Sequence, residues 1–157
     1  MGFDIHPMTA GDKPQLMQLL AATPEFEPAE IPVAEEVIDA YLARPGVDYQ
    51  VLVAEESLCI LGYICFGQTP LTRSTWDIYW MAVAMERRGR GIGAALLRRA
   101  EDSIRRAGGT LVLIETSSKP NYLPTRRFYL KNGYKKSSRI VDFYAPGDHR
   151  ITFEKRF

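Results

Sequence analysis

The 157-residue chain reads as an α/β domain on a mixed, mostly antiparallel sheet with one parallel crossover at its centre. Three observations predict it. Strand and helix patterns follow one another in the order β-α-α-β-β-β-α-β-α-β-β. A strongly amphipathic helix, Gly91 to Ala107, lies between a strand ending at Val83 and the apolar run Thr110 to Glu115. The turns around Glu56-Ser57 and Ala145-Pro146-Gly147-Asp148 are short enough to join antiparallel neighbours.

Each element has its own signal. Phe3 to Met8 alternates loosely as a first strand, and Thr9 or Asp12 caps a helix over Gly11 to Ala22. The Pro-rich stretch Pro24 to Pro32 reads as a loop, before a helical stripe of Val33, Val37, Ile38, Tyr41 and Leu42. Strands follow at Tyr49 to Glu55, Cys59 to Phe66 and, after a loop, Trp76 to Val83. The long helix presents Ile92, Leu96, Leu97, Ala100 and Ile104 on one side and arginines on the other, and Gly108-Gly109 stops it. Thr110 to Glu115 is apolar enough to predict burial on both faces. A helix over Tyr122 to Asn132 and the strands Tyr134 to Phe143 and Arg150 to Phe157 complete one domain, 1–157, without repeats.

Composition excludes several classes. With 46% apolar and 25% charged residues the chain is an ordinary globular sequence, long enough to bury roughly two thirds of its unfolded surface. No apolar run approaches a membrane span, and no basic segment followed by an apolar one opens the chain. Cys59 and Cys65 fall on the same face of one strand, so both are expected as reduced core residues of a cytoplasmic protein. Charge is unevenly spread: Met1 to Ile60 has a balance of −9, and the remainder +10. Such a split suits partners of opposite sign or a surface whose halves neutralise each other.

The strongest chemical signal is Arg87-Arg88-Gly89-Arg90-Gly91-Ile92-Gly93-Ala94, between a strand and a helix. Glycines permit close approach of a ligand, and the free N–H groups of a helix start point at an anion, with phosphate the natural guest. Gly89-x-Gly91-x-x-Ala94 formally matches a dinucleotide fingerprint, but five residues separate it from the strand, and only one parallel crossover is present. No Gly-Lys-Ser or Gly-Lys-Thr of a Walker loop occurs.

Arg88-x-x-Gly91-x-Gly93, preceded by a strand ending Met81-Ala82-Val83, resembles the coenzyme-A signature of the GNAT superfamily of N-acetyltransferases. The likeness covers almost the whole chain: the acidic two-helix start, the hairpin Val51 to Phe66, and Phe128-Tyr129-x-x-x-Gly133-Tyr134. It implies a central sheet whose two parallel strands splay at an acetyl-CoA site. Backbone groups of Met81 and Val83 would bind the pantetheine arm, and the N–H groups of Gly89, Arg90, Gly91, Ile92, Gly93 and Ala94 would cradle the pyrophosphate. Arg88 and Arg90 would add charge.

Acetyl transfer to an amine requires a deprotonated amine, a donor for the oxyanion and a proton for the departing thiolate. The resemblance makes Tyr129 the general acid, and Asp77 matches the place of a frequent family glutamate. Glu115, at the end of the neighbouring strand, is a second candidate base. Either carboxylate could work through water, or could serve only to bind a cationic substrate. The family often places an asparagine seven residues before its tyrosine, on the cofactor arm; here that position is Tyr122, with Asn121 one residue away. No metal site is expected, since His6 and His149 lack ligand spacing.

The function expected is transfer of an acetyl group from acetyl-CoA to a small-molecule or peptide primary amine by direct attack. A homodimer fits, and neither nucleic acid nor membrane is expected as a partner. Two other classes remain: a non-catalytic acyl-CoA sensor on the same fold, and a nucleic-acid module using Arg87, Arg98, Arg99, Arg105 and Arg106. The second lacks interleaved aromatics. In the family the first two helices and their loop form a wall of the acceptor site. Here that stretch carries Glu25, Glu27, Glu30, Glu35, Glu36 and Asp39, which predicts a neutral or cationic acceptor.

Overall fold

The computed structural model describes residues 2–157. Its elements are β1 (Asp4–Pro7), α1 (Lys13–Ala21), α2 (Glu30–Ala43), β2 (Gln50–Glu56), β3 (Cys59–Gln68), β4 (Thr75–Val83), α3 (Ile92–Arg106), β5 (Leu111–Ser117), α4 (Leu123–Lys131), β6 (Lys135–Ala145) and β7 (Asp148–Arg156). The strands form one sheet in the order β1-β2-β3-β4-β5-β7-β6. Only β4 and β5 run parallel, with α3 as the crossover between them. The predicted fold class is therefore the observed one. Among the described residues no helix is long and apolar enough to cross a membrane.

Each face of the sheet carries a core. On one side Leu96, Leu97 and Ile104 of α3 and Tyr129 of α4 pack on Phe66, Ile78, Val112 and Ile114. On the other, Leu16 and Leu20 of α1 and Ile38 and Tyr41 of α2 cover Val51, Val53, Tyr63 and Cys65. Tyr41 ties its helix to the sheet by donating its hydroxyl to the Met8 carbonyl at 2.9 Å. A buried polar cluster fastens α3 to the far strands. Lys155 Nζ lies 3.1 Å from Glu101 Oε1, and the Tyr134 hydroxyl donates to Glu101 Oε2 at 2.7 Å.

Three local expectations fail for identifiable reasons. The loop expected to run to Pro32 ends earlier, because α2 begins at Glu30 and Pro32 sits in its first turn. An N–H is dispensable there. The two cysteines do not share a face. Ala54 pairs with Gly62 but Glu55 with Ile60, so Leu61 bulges out and the alternation inverts. Cys65 is consequently buried among the α1 and α2 side chains, whereas Cys59 is exposed. Finally, β5 is buried on one face only: Val112, Ile114 and Thr116 are covered, Leu111 and Leu113 are half-buried, and Glu115 is exposed. α1 and α2 lie over β2 to β4 and stop short of β5.

Candidate active site

The parallel strands pair only from Thr75–Leu111 to Ile78–Ile114. β4 then continues to Val83 without β5 beside it. The separation starts at an irregularity: Cys65 pairs with Trp80 and Phe66 with Ile78, which leaves Tyr79 as an extra residue. A bulge increases twist, so it turns β4 away from its neighbour. It also inverts the alternation, placing Tyr79 and Trp80 together on the α1–α2 face and Met81 on the α3–α4 face.

The divergence leaves backbone groups unpaired. Ala84 N–H donates to the Leu61 carbonyl on β3 at 2.8 Å. Backbone groups alternate sides along a strand, so those of Met81 and Val83 point into the gap instead. The Val83 carbonyl there accepts Nε of Arg88 at 3.3 Å.

The glycine turn closes one end of the gap. Gly89 and Gly91 both have φ of +81°, and a Cβ at either would meet nothing within 4 Å, so backbone conformation, not crowding, requires glycine there. Gly91 caps α3, whose first turn has no acidic residue and whose last turn has Arg105 and Arg106. The positive end of a 15-residue helix is thereby left open toward the cleft. Gly93 sits in tight quarters, where a Cβ would approach Met81 Cε to 3.3 Å and the Phe128 ring to 3.4 Å.

A cleft of about 1220 Å³ follows the gap through the sheet. Tyr129, Asp77, Glu115, Met81, Val83, Arg88, Gly89, Gly91, Ile92, Gly93 and Ala94 all line it. Arg90 and Asn121 do not, and both side chains face solvent. The short helical turn Pro120–Tyr122 delivers Tyr122, not Asn121, to the cleft wall.

Tyr129 is 6% exposed, with the rings of Phe128, Tyr134 and Phe153 at 5.6, 6.1 and 5.9 Å. Burial pushes its phenol up to about 12. The two carboxylates lie on the opposite face. Asp77 accepts the Thr69 hydroxyl at 2.6 Å, and Glu115 lies 3.7 Å from Arg150 Nη1.

Of the six acids expected on the acceptor wall, only Glu25, Glu27 and Glu30 reach the cleft. Glu35 and Asp39 instead pair with Lys13, at 3.0 and 2.7 Å. Sequence reasoning missed Asp148, which supplies another lining carboxylate and accepts the Ser117 hydroxyl. It also missed that Glu25 is held by Arg88 at 2.6 Å, which lowers the carboxyl below its usual range. Phe26, Tyr79, Trp80, Tyr122 and Tyr144 add aromatic surface. No local pattern marks these residues, which come from separate segments.

A family model for the acetyltransferase (GNAT) domain matches residues 47–136, which span β3, the diverging strands and α3. The chain belongs to the GNAT acetyltransferase family. A crystal structure from Desulfovibrio desulfuricans, assigned to the GNAT family, is 34% identical; the match covers 98% of each chain with a TM-score of 0.94. An aminoalkylphosphonate N-acetyltransferase of Salmonella typhimurium is 34% identical over 62% of this chain and 63% of its own length. A tRNA(Met) cytidine acetyltransferase of Aeropyrum pernix is 33% identical over 79% of this chain, which spans only 15% of that protein. Three acetyltransferase structures at 17–20% identity, solved with coenzyme A or acetyl-CoA, share the fold.

Proposed function

We propose that the protein transfers an acetyl group from acetyl-CoA to a primary amine that is neutral or positively charged. The observation that carries this reading is the open gap between β4 and β5, with the glycine turn at one end and a buried tyrosine on one wall. The gap accepts an extended pantetheine arm as a strand would be accepted, through the backbone groups of Met81 and Val83. The N–H groups at the start of α3 then meet the pyrophosphate. Arg87, at the cleft, and the exposed Arg90 add positive charge nearby.

The neutral amine attacks the thioester carbon from the α1–α2 face. A C–N bond forms, and the oxyanion takes a hydrogen bond from an N–H in the gap, such as that of Met81. Collapse breaks the C–S bond, and Tyr129 gives its proton to the thiolate on the α3–α4 face. The surplus proton on nitrogen leaves through water toward Asp77 or Glu115. Glu27, Glu30, Asp77, Glu115 and Asp148 outnumber Lys119 on the acceptor side, where Tyr79 and Trp80 also line the cleft. Our reading locates the enzyme in the cytoplasm, where the exposed thiol of Cys59 stays reduced.

The test is an acetylation screen over polyamines, amino acids, aminoglycosides and peptide N-termini, with coenzyme-A release as readout. Turnover with a cationic amine supports the reading. Tight acetyl-CoA binding without release for any amine favours a sensor and overturns it.

A further inference from the structure

The segment Thr23–Glu30 between α1 and α2 borders the amine side of the cleft, and side chains from both diverging strands' turns hold it. Arg88, in the turn after β4, donates Nη1 and Nη2 to Glu25 Oε1 and Oε2 at 2.6 and 3.0 Å. Tyr122, in the turn after β5, donates its hydroxyl to the Glu25 carbonyl at 2.9 Å. Lys119, from that same turn, places Nζ 2.7 Å from Glu27 Oε1. The loop therefore connects the two walls whose separation opens the gap.

These contacts suit a tether better than a chance surface pairing. The Arg88–Glu25 pair is bidentate, and the Glu25 side chain is only 14% exposed. Tyr122 is half-buried, and burial with the acids around it raises its phenol, so the hydroxyl keeps its donating proton. The loop is also ordered from within, since Glu27 N–H donates to Glu30 Oε2 at 2.7 Å. Arg88 spends both terminal nitrogens on Glu25, which leaves the anion cradle to the backbone of α3.

We propose that Tyr122 and Arg88 are positioning residues: they hold the Thr23–Glu30 loop against the amine side of the cleft and so set the amine pocket without touching the reacting atoms. This rests on reading the cleft as an acetyl-transfer site. It also explains why a tyrosine stands seven residues before Tyr129 in this chain. The side chain there serves the loop, not the cofactor arm.

Two variants test it. Tyr122→Phe removes the hydroxyl and keeps the ring; Glu25→Gln keeps the shape and removes the charge. In both, amide hydrogen exchange at Glu25, Phe26, Glu27 and Ala29 should quicken about 5-fold or more, the worth of about one lost hydrogen bond. The KM for whichever amine the wild type acetylates should rise by about the same factor, with kcat within about twofold and acetyl-CoA affinity retained. Unchanged exchange overturns the tether. Faster exchange with an unchanged amine KM, or a loss of acetyl-CoA affinity instead, overturns the positioning role. Absence of any acetyl transfer by the wild type sinks the reading of the cleft and the amine half of this proposal. The exchange measurement needs no acceptor and decides the tether separately.

Discussion

Asp77 and Tyr129 lie on opposite faces of the sheet, and both line the cleft. Asp77 alternates with Trp76 and Ile78, which pack in the α3–α4 core where Tyr129 is buried. In the mechanism we propose, Asp77 would receive the proton of the amine and Tyr129 would supply that of the thiolate from opposite sides of the sheet.

Tyr129→Phe keeps the packing against Phe128, Tyr134 and Phe153 and removes only the proton donor. Turnover should fall about 100-fold or more while the acetyl-CoA dissociation constant stays the same. With its phenol pushed up to about 12, Tyr129 remains protonated across the working range. The wild-type rate should therefore rise with amine deprotonation and show no fall from Tyr129 between pH 8 and about 10. A descending limb in that interval, absent from Tyr129→Phe, would contradict the raised phenol, and wild-type turnover in Tyr129→Phe would contradict the assignment.

Gly91→Glu should abolish acetyl-CoA binding in a folded protein. The substitution puts a side chain at φ +81° and a negative charge at the open end of α3. Calorimetry on a variant with a native circular dichroism spectrum measures this. Wild-type affinity would remove the cradle from the account.

His6 gives stability a pH dependence of known sign. Its Nδ1 faces the Pro7 carbonyl at 2.8 Å and its Nε2 faces Glu55 at 2.8 Å, and these bonds, the Pro7 carbonyl foremost, raise its pKa. The stabilisation is fully present below about pH 6.5, the unfolded value, and is lost as pH rises through the higher folded value. Urea midpoints at pH 5.5 and 8.5 should differ by less in His6→Gln than in the wild type. An equal difference in both proteins would refute the contribution.

Glu101→Ala should cost about 2 kcal/mol, because it leaves the buried Tyr134 hydroxyl without a partner and leaves Lys155 only the Asn132 carbonyl. Denaturant unfolding of the variant reads this directly. A loss below about 1 kcal/mol would show that water compensates both partners.

How much of this was legible depended on range along the chain. The glycine turn could be read because its pattern is local: Gly89, Gly91 and Gly93 fall within a few residues at the start of α3, and all three line the cleft. Tyr129 was singled out by the resemblance of Phe128-Tyr129-x-x-x-Gly133-Tyr134, and it lines the cleft. The bulges at Leu61 and Tyr79 were not, because a register shift arises from pairing between strands and leaves the apolar pattern intact. They decided which way Cys59 faces and where β4 leaves β5. The Arg88–Glu25 and Tyr122–Glu25 bonds join residues 63 and 97 positions apart, so no local pattern shows them. The acidic wall was half right for the same reason: Lys13 claims Glu35 and Asp39 across the helix pair.

The most direct test compares kcat/KM for matched cationic and anionic primary amines, with acetyl-CoA saturating, at low and high salt. The account predicts turnover of the cation and little of the anion. It also predicts that the cation's advantage shrinks as salt screens Glu30, Asp77, Glu115 and Asp148. No preference, or a preference for the anion at low salt, would contradict it.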